Sequence, residues 1–140
     1  MKNNPIVIEQ TYNTSVEKVW KAISDRNEMK KWYFDLAAFK TEVGFEFEFL
    51  AGPDHQQYLH LCRVTDVVPG KKLTYSWRYD GYEGNTFVTW ELLEEGDKTR
   101  LKLKHEGLET FPASNPDFAR ENFVAGWTDI LGRALKEYLE

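Results

Sequence analysis

Leu73-Thr74-Tyr75-Ser76-Trp77-Arg78-Tyr79 and, beyond a turn from Gly81 to Asn85, Val88-Thr89-Trp90-Glu91-Leu92 alternate large apolar side chains with polar ones. A period of two puts one set on each face, so both stretches read as half-buried strands with one wet side. Outward from them the pattern repeats. Leu101, Leu103 and His105 alternate with Lys102 and Lys104, and Phe45, Phe47 and Phe49 alternate with Glu46 and Glu48. Residues 57–68 form a long strand ending at Val68-Pro69-Gly70, a turn signal. Short turns join these strands, so the sheet is mainly antiparallel. The register predicts Trp77 and Trp90 buried, with Arg78, Thr89 and Glu91 toward solvent. A slip of one residue would invert every assignment.

Helical signals flank the sheet. After an opening strand, Ile6-Val7-Ile8-Glu9-Gln10-Thr11-Tyr12, the stretch Thr14-Ser15-Val16-Glu17 has the form of a capping box with Thr14 as the cap. Val16, Val19, Trp20 and Ile23 follow at helical spacing, and a shorter helical piece lies near residues 27–32. At the far end, Asn115 suits a cap, Pro116 the first helical position and Asp117 the positive end of the dipole. They predict one helix running to Glu140, about 25 residues long. Phe123, Trp127, Ile130, Ala134 and Tyr138, widened by Leu131 and Leu135, make its apolar face. Gly126 costs about 1 kcal/mol against alanine inside a helix; close helix–sheet approach, or room for a ligand beside Trp127, is the expected compensation. A sheet with one apolar face needs a cover, and this helix supplies it. The expected fold is α+β: a curved, mainly antiparallel sheet gripping a long C-terminal helix, with one or two short helices after the first strand. It forms one domain over 1–140.

Composition narrows the function. Eighteen Lys and Arg against 23 Asp and Glu leave a net charge of −5, which argues against nucleic acid and against anionic lipid surfaces as partners. No apolar run approaches the roughly 18 residues of a membrane span. Residues 1–5 contain no apolar signal core, and the one cysteine, Cys62, cannot form an internal disulfide, so the expected location is cytoplasmic. His55, His60, Cys62 and His105 are the soft metal ligands, without paired-cysteine spacing or a His-Glu-x-x-His helix, so neither metal nor other cofactor is expected. Gly81-Tyr82-Glu83-Gly84 lacks the lysine of a phosphate loop. Nothing in the sequence sets an oligomeric state.

Five stretches in order resemble the START-like helix-grip superfamily (SRPBCC), in its branch related to the activator of heat-shock-protein-90 ATPase. They are Thr11-Tyr12-Asn13-Thr14-Ser15-Val16-Glu17-Lys18-Val19-Trp20, Met29-Lys30-Lys31-Trp32-Tyr33, Val67-Val68-Pro69-Gly70-Lys71-Lys72-Leu73-Thr74-Tyr75-Ser76-Trp77, Thr99-Arg100-Leu101-Lys102-Leu103-Lys104-His105, and Gly126-Trp127 with Leu131, Leu135 and Leu139. The resemblance covers essentially the whole chain. It implies a wedge-shaped cavity between sheet and C-terminal helix. On residues 57–68, Tyr58, His60, Cys62 and Val64 share one face and Leu59 and Leu61 the other; the resemblance places Val64, and with it Tyr58 and His60, inward.

Alternation and resemblance together nominate Trp32, Tyr58, His60, Tyr75, Trp77, Tyr79, Trp90, His105, Phe123 and Trp127 as cavity walls, with Trp127 as the roof opposite Trp90 or Tyr75. The competing reading is that these aromatics fill a solid core. As a group they favour a pocket, because Tyr, Trp and His carry polar tips that a solid core would have to satisfy. The leading expectation is a binding module for a small hydrophobic or amphipathic molecule, with no catalytic residues. One alternative is an enzyme of cyclase or hydrolase type, with His60 or His105 as general base and Tyr58 or Tyr79 orienting the substrate. Another, implied by the family name, is a chaperone-activating interaction protein, although 140 residues leave no room for the further chaperone-binding domain of the eukaryotic activators.

Overall fold

The alternating stretches are strands in the register their side chains require. In the computed structural model, which describes residues 5–33, 36, 38–53 and 55–140, the chain runs β1 (Ile6–Tyr12), α1 (Val16–Ser24), α2 (Arg26–Trp32), β2 (Glu46–Ala51), β3 (Tyr58–Val68), β4 (Lys72–Tyr79), β5 (Thr86–Glu95) and β6 (Lys98–Glu106). Residues 1–4, read above for a leader, lie outside the described residues. The strands form one open, curved antiparallel sheet in the order β1-β6-β5-β4-β3-β2. Trp77 and Trp90 are buried, Arg78 is exposed, and Thr89 and Glu91 are half-buried on the outer face. The face of β3 that the sequence left open is settled by pairing: His60 lies between Phe49 and Tyr79, and Cys62 between Phe47 and Trp77, all buried.

The C-terminal helix lies in the concavity. It comprises α3 (Arg120–Asp129), a π-helical segment (Ile130–Leu135) and α4 (Lys136–Leu139). Its buried stripe is Trp127, Leu131, Leu135 and Leu139, whereas Phe123, Ile130, Ala134 and Tyr138 are half-buried. Residues four apart drift by about 40° per step around an ideal α-helix of 3.6 residues per turn. The wider i→i+5 turns take up that drift and keep the stripe on the sheet. Within this segment the buried Tyr12 hydroxyl donates to Leu131 O at 2.7 Å, pinning the helix to β1. Among the described residues, no helix is long and apolar enough to cross a membrane.

Three local expectations are corrected. The first helix is capped by Ser15, whose hydroxyl accepts from Lys18 N–H, and not by Thr14. Thr14 is committed elsewhere: its carbonyl accepts from the Thr99 hydroxyl at 2.9 Å, tying the helix entry to β6. Asn115 does cap, but what it caps is a single 3₁₀ turn, Pro116–Phe118. Ala119 is extended (ψ 144°), which turns Phe118 into the core and delays the long helix to Arg120. Gly126, finally, faces solvent, and a Cβ built there meets nothing within 4 Å. It serves neither close packing nor ligand room.

Neighbouring substitutions should therefore act in opposite directions. Gly126→Ala should stabilise the protein by about 0.5–1 kcal/mol, since it relieves a helical glycine without a clash. Trp127→Ala should cost about 3–5 kcal/mol. Urea unfolding of the two variants checks both signs; a destabilising Gly126→Ala would mean that the glycine backbone is needed after all.

Candidate functional site

Between β3, β4 and the start of the C-terminal helix, aromatic rings meet face to edge. Trp127 contacts Trp77 and Trp90 with centroids 5.5 and 5.7 Å apart, which puts it opposite Trp90. The polar tips of these rings largely satisfy one another. Trp90 Nε1 donates to the Tyr75 hydroxyl and Trp77 Nε1 to the Tyr79 hydroxyl, each at 3.0 Å. Trp127 Nε1 donates to His105 Nδ1 at 3.0 Å, His105 Nε2 lies 2.8 Å from Thr86 Oγ1, and Thr86 donates to the Trp77 carbonyl at 2.7 Å. Because an indole only donates and a carbonyl only accepts, His105 is held neutral with its proton on Nε2. Both its nitrogens are engaged, so it is not placed to act as a general base. Trp32 sits toward the other end of the sheet, edge-on to Trp90, with Nε1 donating to the Ala22 carbonyl.

Four of the nominated residues, Tyr58, His60, Tyr79 and Phe123, come together around a cleft of about 120 Å³. Its other walls are Ala51, Gly52, Pro53, Asp117, Phe118 and Asn122. Tyr79 is stacked on Phe118 (4.7 Å, 9°), and His60 is stacked on Phe49 (4.4 Å, 17°). His60 Nδ1 lies 3.0 Å from the Tyr58 carbonyl, which only accepts, so the ring proton sits on Nδ1. Burial pushes the His60 pKa down to about 4, against the pull of the Tyr58 and Phe49 backbone groups. At the rim, Asp117 Oδ2 accepts from the Tyr58 hydroxyl at 2.6 Å and lies 2.9 Å from His55 Nε2, while Asn115 Nδ2 donates to Tyr58. The Tyr58 and His55 contacts hold the Asp117 carboxyl below the usual carboxylate range. In the sequence Asp117 stands out only as a helix-start residue and Phe118 not at all; no spacing rule links them to Tyr58, which is 59 positions from Asp117.

A larger concavity, about 620 Å³, lies on the outer face of the sheet among Glu46, Glu48, Arg63, Ser76 and Arg78. Exposed charges of both signs line it, and the inner cleft, with its buried histidine and aromatic walls, has more of what selects a ligand. Cys62 is buried, and burial raises its thiol pKa, which keeps it protonated and a poor nucleophile.

A family model described as "Activator of Hsp90 ATPase homolog 1-like protein" matches residues 13–140. The mouse activator of 90 kDa heat shock protein ATPase homolog 1 is 22% identical over 134 residues, which cover 94% of this chain and 36% of that protein. This chain thus spans little more than a third of its curated relative. Among solved structures, the Mll3558 protein of Rhizobium loti superposes with a TM-score of 0.81 at 23% identity, covering 98% of this chain and 97% of its own. CV1439 of Chromobacterium violaceum gives 0.79 at 26% identity, covering 100% and 99%.

The two buried histidines make stability depend on pH in a defined window. Burial depresses His60 to about 4 and His105 to about 3, below the roughly 6.5 of an unfolded chain. The unfolded state therefore takes up protons first. The stability tied to the neutral rings is fully present above about pH 6.5 and is lost as pH falls toward 4, with a slope of up to about 1.4 kcal/mol per pH unit for each histidine. Urea unfolding measured from pH 7 to 4.5 should show this slope, and His60→Phe should roughly halve it. A flat profile over that range would contradict the buried, neutral assignment.

Proposed function

The chain belongs to the family of activator of Hsp90 ATPase homolog 1-like proteins, within the START-like helix-grip superfamily, and on that premise we propose that it is a small-molecule binding module whose ligand enters the wedge between β3, β4 and the C-terminal helix. The observation that carries this reading is the cleft bounded by Tyr58, His60, Tyr79, Phe118 and Phe123. At about 120 Å³ it falls in the size class of an engineered apolar cavity of about 150 Å³ that admits one benzene ring. Its walls are mostly aromatic carbon with a few convergent polar groups, the usual make-up of a ligand site. Of the other nominated residues, Tyr75, Trp77, Trp90, His105 and Trp127 pack behind it without lining it, and Trp32 packs on Trp90 toward the other end of the sheet. The occupant is an apolar or amphipathic molecule with at least one ring-sized end.

A second reading, action on a 90 kDa heat shock protein, is favoured by the likeness to the mouse activator alone. It requires the purified chain to raise ATP hydrolysis by that chaperone; an unchanged rate would remove it.

Toluene titrated into the protein should shift the amide resonances of Gly52, Asn122 and Phe123 together. Ala51 lies on the inward face of β2 and on the cleft wall, so Ala51→Phe should fill the space and abolish those shifts while the protein stays folded. Shifts that survive the substitution, or that scatter over the outer face of the sheet, would place the ligand elsewhere.

A further inference from the structure

The chain crosses the mouth of the cleft held by one ring. Among the described residues, Phe118 is the one buried side chain between Pro112 and Gly126. It sits on the single 3₁₀ turn Pro116–Phe118, between Asn115 (ψ 110°) and Ala119 (ψ 144°), both extended. The hydrogen bonds of the turn close on itself. Phe118 N–H donates to the Asn115 carbonyl, Ala119 N–H to the Pro116 carbonyl and Asp117 N–H to Asn115 Oδ1, so they travel with the turn if it moves. The turn is tied to the sheet side by the Phe118 ring and, at the rim, by Asp117 and Asn115 on the Tyr58 hydroxyl, with His55 on Asp117. A segment with so few buried contacts is the part of a fold that opens most readily.

The ring itself lies as a bound aromatic ring would. It is stacked on Tyr79 at 4.7 Å and 9°, with Tyr58 at 5.1 Å and Tyr82 edge-on at 5.2 Å. Phe118 and Tyr79 both line the cleft. We propose that the Phe118 side chain is a displaceable stopper, which holds the face of Tyr79 that an aromatic ring of the ligand takes when the 115–119 turn swings outward. This rests on the reading of the cleft as a ligand site and assigns where in it the ring sits. One ring replaces another on the same aromatic walls, so the ligand has little more to offset than the rim bonds of Asp117 and Asn115. Trp127 and the leucine stripe hold the helix behind the turn, which can swing about Ala119 without moving it. Because only the open form accepts a ring on Tyr79, apparent affinity is reduced by the open fraction, and loosening the rim raises it.

The test titrates the full chain with toluene and with indole, reading the Phe118–Tyr79 ring NOE and the amides of Asn115, Asp117 and Phe118. Toluene, a single ring, fits the cleft as it stands and is the reference for binding there. Indole, with two fused rings, needs the stopper's place. It should bind with the Phe118–Tyr79 NOE lost, an indole–Tyr79 NOE in its stead, and the three amides shifted. Asp117→Asn keeps the side-chain volume and removes the charge that receives Tyr58 and His55, so the affinity for indole relative to toluene should rise at least threefold without any new hole. Indole excluded from the wild-type protein, or bound with the Phe118–Tyr79 NOE intact, would overturn the stopper, as would an unchanged ratio in Asp117→Asn; toluene in the cleft would still leave the ligand site standing. If neither probe perturbs the cleft, both readings fall. Should Asp117→Asn not fold, the NOE pattern of the wild-type protein decides the matter alone.

Discussion

The interior depends on one directed chain of hydrogen bonds, from Trp127 on the helix to His105 on β6, on to Thr86 on β5, and to the Trp77 carbonyl on β4. Its polarity is forced by its ends, a group that can only donate and a group that can only accept. That polarity dictates the tautomer of His105, and the tautomer excludes a second proton. Protonated Nδ1 would set N–H against N–H at Trp127 and break the polar link between helix and sheet. Both His105 and Thr86 have no exposed surface, so water cannot substitute for a lost partner, and the low local polarity strengthens each link while raising the cost of breaking one. Helix placement and histidine ionisation are thus one equilibrium.

The same chemistry explains why a chain that is 15% aromatic has no need of a large hollow. A polar tip needs only a partner, not a cavity, and another aromatic residue two positions away or one strand over provides it. Trp77 finds Tyr79 along its own strand, and Trp90 finds Tyr75 across the β4–β5 pair.

The sheet was legible because a strand with one wet face leaves a period-two record, and the records of β4 and β5 are long enough to exclude a slip. β3 was not, since Leu59 and Leu61 are apolar yet lie on the outer face; only pairing to Phe49 and Tyr79 settles which side faces in. The Thr14 cap failed because two adjacent hydroxyls fit one pattern and a strand 85 residues away decided between them. Gly126 failed because composition does not say which side of a helix a glycine occupies. Asp117 joined the cleft through contacts to His55 and Tyr58 that no local spacing encodes.

Why the wedge opens where it does follows from how the helix is pinned. Leu131, Leu135 and Leu139 are buried, and the carbonyl of Leu131 is tied to β1 through Tyr12, so the C-terminal half cannot lift from the sheet without exposing all of them. The N-terminal half, α3, buries only Trp127. Ahead of it the chain passes through the Pro116–Phe118 turn and the extended Ala119, which carry the backbone in front of the sheet's β3–β4 end instead of against it. Phe118 plugs part of the gap by stacking on Tyr79, and Asp117 bridges the rest to Tyr58 and His55. The rim is therefore built from the loop after β2 and the turn before α3, and the wall behind it from packed strands. A rim of loops can change shape while the Trp127–His105 link and the leucine stripe hold, so the cleft of about 120 Å³ sits where the fold is held least tightly.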